Sequence, residues 1–347
     1  MFAKLPQEPP SGAARVVGRR EVPLSILETS RLRAHHRWLA LGFSFAFTTA
    51  TLIFVFRGID KEIFARLLAT QDRGLLVAAA AFILLQMALG SERWRSVLCP
   101  LTRGPPPSVA NVQSVFYASI FFNCLPIGAV GGDVARILLA RRFELSMSQI
   151  VLSVLVDRVL TVAAFITLAL VTLPTISNPL ATGAWFVGAA TLVAGTIGLV
   201  VLRPIERLLG RWRHKRFIDL LVRIAEDVRH LVNHAGLRAL GFAVASGACA
   251  GLAAYCIGRS LGVGVGPIAM IAVSSIMALV VALPISVAGW GVREVSLVAL
   301  LGALSVDREA ALVLSVELGL INTLLSLPGG LVWLTLRDHR RAAVSTD

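Results

Sequence analysis

Asn123-Cys124-Leu125-Pro126-Ile127-Gly128-Ala129-Val130-Gly131-Gly132 interrupts the middle of an otherwise apolar stretch, residues 108–140. Proline removes a helical hydrogen bond, and glycine costs about 1 kcal/mol in a helix interior, so few continuous helices tolerate such a run. Arg93, Arg95 and Arg103 lie before the stretch, and Arg141 and Arg142 after it. Two half-helices joined at membrane depth, entering and leaving on one side, satisfy both the break and the basic flanks. Within residues 267–301 the pattern returns as Leu283-Pro284-Ile285-Ser286-Val287-Ala288-Gly289-Trp290-Gly291-Val292. Aligned on Leu125 and Leu283, the two runs share Leu, Pro, Ile and the Gly at 131 and 289, and Val134 matches Val292. Arg136 and Arg293 follow, one position out of register. Inverted repeats whose broken helices meet near the bilayer midplane are a recurrent transporter plan.

Outward from these breaks lie six longer apolar runs: 38–56, 74–90, 147–173, 184–202, 237–261 and 310–336. Most approach or exceed the ~20 residues that cross ~30 Å of hydrocarbon as helix. The 347 residues are 56% apolar and only 15% charged, with a mean hydropathy of +0.78. A soluble domain carries roughly a quarter charged residues. Open sheets leave unpaired backbone groups in lipid, and barrel strands would read as short alternating segments. The expected fold is an all-α polytopic integral membrane protein of six spanning helices and two oppositely facing re-entrant helical hairpins in an inverted repeat. Its single transmembrane domain covers 38–336, with hairpins at 108–140 and 267–301. An interfacial amphipathic segment is expected at 203–235, where Leu, Ile and Val alternate with Arg at helical spacing. A basic, partly disordered N-terminal tail, 1–37, and a short tail, 337–347, flank the domain.

The net charge of +13 sits beside the spans. Arg31, Arg33 and Arg37 precede the first, Arg203 to Arg229 fill the one long loop, and Arg337, Arg340 and Arg341 follow the last. Loops 174–183 and 262–266 carry no charge. By the positive-inside rule both termini are cytoplasmic, with anionic lipids as neighbours at that face. This distribution argues against nucleic acid as a partner. The first apolar run starts behind a polar lead containing Pro6, Pro9 and Pro10, so no cleavable signal is expected. All six histidines fall in the expected cytoplasmic segments, and Cys99, Cys124, Cys249 and Cys256 lack metal-ligand spacing. No metal, cofactor or histidine-based catalysis is therefore expected. Small-xxx-small spacings such as Gly247 with Gly251 read as helix packing.

A charge at a helix centre costs on the order of 2.5–3.5 kcal/mol on the insertion scale, so ionisable groups at depth are candidates. Asp133 and Arg136 stand three apart on the second half of the first hairpin, on one face and close enough to pair. Arg293 and Glu294 hold the matching place in the second. Asp157 lies near mid-membrane, and Arg158, its neighbour, points elsewhere and takes a different partner. Glu317 lies within the last span, with Asn322 beyond it. The bland reading of these charges is that they pair with one another and hold helices together. For Arg136 and Arg293 a ligand reading is stronger, because each follows a Gly-rich break. A half-helix N-terminus and a planar guanidinium fork together suit a phosphate. Asn123, Gly131, Gly132, Gly289 and Gly291 complete the candidate headgroup site; the glycines either admit a ligand to the backbone or simply break the helix. Asp157, Arg158 and Glu317 are candidates for a coupling role. Arg93-Trp94 reads as an interfacial anchor.

Phe122-Asn123-Cys124-Leu125-Pro126 with Gly131-Gly132-Asp133-Val134-Ala135-Arg136 resembles the first signature of the lysylphosphatidylglycerol synthase transmembrane (flippase-like domain) family. Leu283-Pro284-Ile285 with Gly289-Trp290-Gly291-Val292-Arg293-Glu294 resembles its second, and Asp157-Arg158 and Arg93-Trp94 fall where that family tends to have them. The resemblance, over residues 38–336, implies lipid translocation between leaflets of a bacterial inner membrane. In members with a fused soluble domain it also implies aminoacylation of phosphatidylglycerol. Eleven residues follow Leu336, so the expectation is a transport module, not an enzyme. An integral-membrane enzyme acting on lipid-linked phosphate, or a non-catalytic partner of a lipid-synthesis complex, are the alternatives.

Overall fold

The computed structural model describes residues 69–344 apart from 103, 125–130, 177–181, 184, 187, 194–215 and 283–288, together with 53, 62, 66 and 67. All of these fall in one compact unit, Phe43–Asp347. Among the described residues the regular elements are helices. In chain order the longer ones are α1 (Arg73–Leu98), α2 (Val109–Asn123), α3 (Gly131–Ala140), α4 (Met147–Thr172) and α5 (Arg216–Ser260). After these come α6 (Pro267–Val281), α7 (Val292–Gly302), α8 (Arg308–Ser326) and α9 (Pro328–Val344). Among the described residues, four stretches are long and apolar enough to cross a membrane: Arg73–Leu101, Met147–Thr175, Asn233–Ser260 and Arg308–Leu336. Expected span 38–56 lies outside the described residues except for Ile53, and 184–202 is described only in part.

Polar side chains start these helices as local chemistry requires. Asp72 accepts from the Gly74 amide at 2.7 Å ahead of α1, and Ser108 accepts from Asn111 at 3.3 Å ahead of α2. Ser146 and Gln149 cap α4 reciprocally, side chain to backbone in both directions. Each satisfies an amide that the first helical turn leaves without a partner.

The pattern of two short helices followed by a long one occurs twice. α2, α3 and α4 have 15, 10 and 26 residues, and α6, α7 and α8 have 15, 11 and 19. Within each set the two short helices pack against one another. The segments carrying Pro126 and Pro284 lie outside the described residues. The bounds of the paired helices agree closely with the stretches 108–140 and 267–301.

Among the described residues, the two larger of four apolar clusters do most to hold the bundle together. The larger joins Ala79 and Ile83 of α1 to Ala253 and Ile257 of α5, Met270 of α6, Leu297 and Leu301 of α7, and Leu314 of α8. The smaller joins Trp94 and Leu98 of α1 to Val112, Val115 and Phe116 of α2, with Ala140 and Ile150. Gly247 and Gly251 are where α5 meets its neighbours. A Cβ at Gly247 would stand 2.6 Å from Leu168 of α4, and one at Gly251 2.6 Å from the Ile271 backbone of α6.

Three boundaries differ from the sequence reading. The second span does not end near Gly90. α1 runs on through Glu92, Arg93, Trp94 and Arg95 to Leu98, because these residues find partners within the protein instead of at the lipid surface. Second, the described part of the amphipathic segment 203–235 and the following span form one helix, α5, of 45 residues. Gly236 is the poorest helix former at their junction, and its cost of about 1 kcal/mol is too small to stop a helix packed along its length. Third, the last span is broken at Leu327–Pro328 into α8 and α9, as a proline ring requires. The break packs on α2, where the Tyr117 hydroxyl donates to the Leu325 carbonyl and Cys124 Sγ lies 3.0 Å from Ser326 Oγ.

Candidate functional site

Asp157 is ten residues into α4, about 15 Å along its axis, and 1% exposed. Two guanidinium groups hold it. Arg93 donates from Nε to Oδ1 at 2.6 Å and from Nη2 to Oδ2 at 3.1 Å, and Arg136 donates from Nη1 to Oδ2 at 2.8 Å. Both arginines are buried. Arg136 also faces the Ser119 hydroxyl at 3.4 Å, and its guanidinium lies over the rings of Phe116 and Trp94, 4.5 and 5.2 Å from their centroids. Trp94 is fixed in turn by donating Nε1 to Ser153 Oγ at 3.3 Å. Gly90 lets the Phe116 ring close on α1: a Cβ there would stand 2.9 Å from it. Two cations to one carboxylate leave an excess of positive charge inside the bundle.

One residue further along α4, and three residues back along α3, a second pair forms. Arg158 donates Nε and Nη2 to the two carboxylate oxygens of Asp133, at 2.9 and 2.6 Å. The expected Asp133–Arg136 pair is therefore replaced by two pairs that cross from α3 to α4. The reason is geometric. Arg136 is turned into the buried interior, whereas Asp133, half-buried, meets the exposed Arg158 at the rim. Asp157 and Arg158 have different partners, as adjacent helical residues should.

Asn123 and Gly132 close the two ends of the first break. Asn123 Oδ1 accepts from the Gly132 amide at 3.1 Å, and a Cβ on Gly132 would overlap that oxygen. The close approach at Gly132 is thus made by the chain's own Asn123. Gly131, half-buried, begins α3 beside it.

In the second break Gly289 and Gly291 adopt φ values of 80° and 87°, where any other residue is strained. Glu294, fully buried, reaches back to the Gly291 amide at 2.5 Å and accepts from Ser315 Oγ of α8 at 3.3 Å. Arg293 donates to Glu294 Oε1 from Nε at 3.1 Å and Nη2 at 2.7 Å. Its guanidinium lies 4.3 Å from the Trp290 ring centroid and directly over Gly319, where a Cβ would collide with it. Arg136 and Arg293, expected to share one site, belong to separate groups that no hydrogen bond or ion pair joins among the described residues.

Glu317 lies on the other face of α8 from Ser315 and Gly319. Its Oε1 accepts from Gln71 Nε2, while Oε2 is buried without a partner among the described residues. Asn322 donates to the Leu318 carbonyl at 2.8 Å, within its own helix.

Sequence reasoning placed Arg93 and Trp94 at the interface, and both are instead walls of the Asp157 site. A carboxylate at mid-membrane with no cation on its own helix face was the available signal. Ser119, Ser153, Phe116, Ser315 and Gly319 carried no such signal. A lateral cleft of about 350 Å³ opens between α1, α2 and α9, lined by Leu84, Met87, Ser91, Ser114, Phe116 and Val332. Phe116 is thus shared between this cleft and Arg136.

The fold and these buried ionic groups define a multi-pass helical membrane protein that keeps charge at the depth of its apolar core. Residues 38–329 match the family described as the lysylphosphatidylglycerol synthase TM region, and the chain belongs to that family. That membership makes it a membrane protein related to lipid handling. No curated protein matches it.

Proposed function

We propose that the protein is a lipid flippase or scramblase, a transporter and not an enzyme, which moves a lipid with a polar or anionic headgroup between leaflets. The observation that carries this reading is the Asp157 group, in which two buried guanidiniums share one carboxylate. Excess positive charge in a low-dielectric interior attracts an anion far more strongly than it would in water. In this reading α2–α3 and α6–α7 are re-entrant hairpins that enter from opposite faces. Six helices span the bilayer of a bacterial inner membrane, with both termini cytoplasmic and anionic lipids against the basic face. The headgroup crosses on protein polar groups while the tails remain in hydrocarbon.

Leaflet exchange in proteoliposomes tests the proposal. Three fluorescent lipids would be compared: phosphatidylglycerol, phosphatidylethanolamine and a polyprenyl phosphate. At least one is expected to equilibrate much faster than in protein-free vesicles, and faster than diacylglycerol of matched chains. Protein-free rates for all three would overturn it.

A further inference from the structure

The Asp133–Arg158 pair is more exposed than the Asp157 and Glu294 pairs. The Arg158 side chain is 47% exposed and that of Asp133 15%, against 12% or less for every member of the Asp157 and Glu294 pairs. Yet Arg158 is eleven residues into α4, about 16 Å along a helix long enough to span. Around it Leu155 and Val159 of α4, and Val134 and Leu138 of α3, are exposed apolar side chains. Such a surface faces acyl chains. A guanidinium opening onto it is costly unless a polar group from the bilayer side meets it.

We propose that the Asp133–Arg158 pair is a lateral docking point for the phosphate of a membrane lipid, which displaces Asp133 from the Arg158 fork. The proposal rests on the transport reading for its ligand class and adds the place of first contact. Carboxylate and phosphate oxygens fit the same two N–H groups of a guanidinium. Asp133 occupies Nε and Nη2 in the way a phosphate would. The exposed aliphatic residues commit the ligand to a lipid, whose chains they cover, over a free ion. Asp133 therefore serves as a resident competitor.

Retention of lipid by the purified full chain, read by native mass spectrometry, tests this. The probes are phosphatidylglycerol, diacylglycerol of the same chains, and inorganic phosphate. Arg158→Gln is expected to lower phosphatidylglycerol retention about tenfold or more, the scale of one charge-assisted contact, and to leave diacylglycerol unchanged. Asp133→Asn is expected to raise phosphatidylglycerol retention several-fold, and Arg158→Lys to fall between wild type and Arg158→Gln. A purely structural pair would instead lower retention equally in Asp133→Asn and Arg158→Gln, which overturns the proposal, as does wild-type retention by Arg158→Gln. Millimolar inorganic phosphate that displaces the lipid completely would refute the lateral lipid source. Arg158-dependent retention without leaflet exchange would remove the transport reading and leave this site standing. Exchange that is indifferent to residue 158 would do the reverse.

Discussion

Arg136 passes over Asp133, three residues before it on α3, and bonds Asp157 of α4 at 2.8 Å. This one contact ties the half-helix after the first break to the spanning helix that follows. Because Asp157 also accepts from Nε and Nη2 of Arg93 on α1, three helices converge on a single carboxylate. Removing one partner of a buried pair strands the other, whereas replacing the whole group by apolar residues is often tolerated.

Asp157→Asn should therefore be the most damaging change in this group, at about 3–5 kcal/mol, since it leaves two cations facing each other. Arg136→Met should cost less, because Asp157 keeps Arg93. The triple change Arg93→Met, Arg136→Met, Asp157→Leu should melt above Asp157→Asn alone. Thermal melts of the detergent-solubilised variants decide the order, and a triple variant no more stable than the single one contradicts it.

Glu294→Ala should cost about 3–5 kcal/mol for the same reason, because Arg293 and the Gly291 amide lose their shared acceptor. Ser315→Ala removes one neutral hydrogen bond and should cost about 1 kcal/mol. Equal melting temperatures for the two variants would show that Glu294 does not hold the second break.

Gly319→Ala displaces the Arg293 guanidinium from its seat on Trp290 without removing its charge. If Arg293 contacts the headgroup, leaflet exchange should fall severalfold while the melting temperature drops by only a few degrees. Unchanged exchange in a folded Gly319→Ala variant would take Arg293 out of the transport path.

Membrane-impermeant thiol labelling in intact cells, on a background lacking the four native cysteines, checks the orientation. A cysteine at 264, in the turn between α5 and α6, should label from outside. One at 142, between α3 and α4, should label only after permeabilisation. The opposite pattern would invert the topology.

The features legible in the chain before folding are those that depend on local properties. Helicity, membrane residence and the two breaks follow from hydropathy and from proline and glycine, which act within a turn or two of where they stand. The bounds of α2–α3 and α6–α7 were legible for that reason, and the family followed from the residues around the breaks. The partners of the charges were set by how the helices pack. A spacing of three permits Asp133 to meet Arg136, but each is free to turn toward another helix, and the choice belongs to whichever helices pack. Arg93 and Trp94 show the same limit. Their place at the end of an apolar run matches an anchor at the lipid surface, and they became the walls of a buried site because α4 brought Asp157 and Ser153 to them.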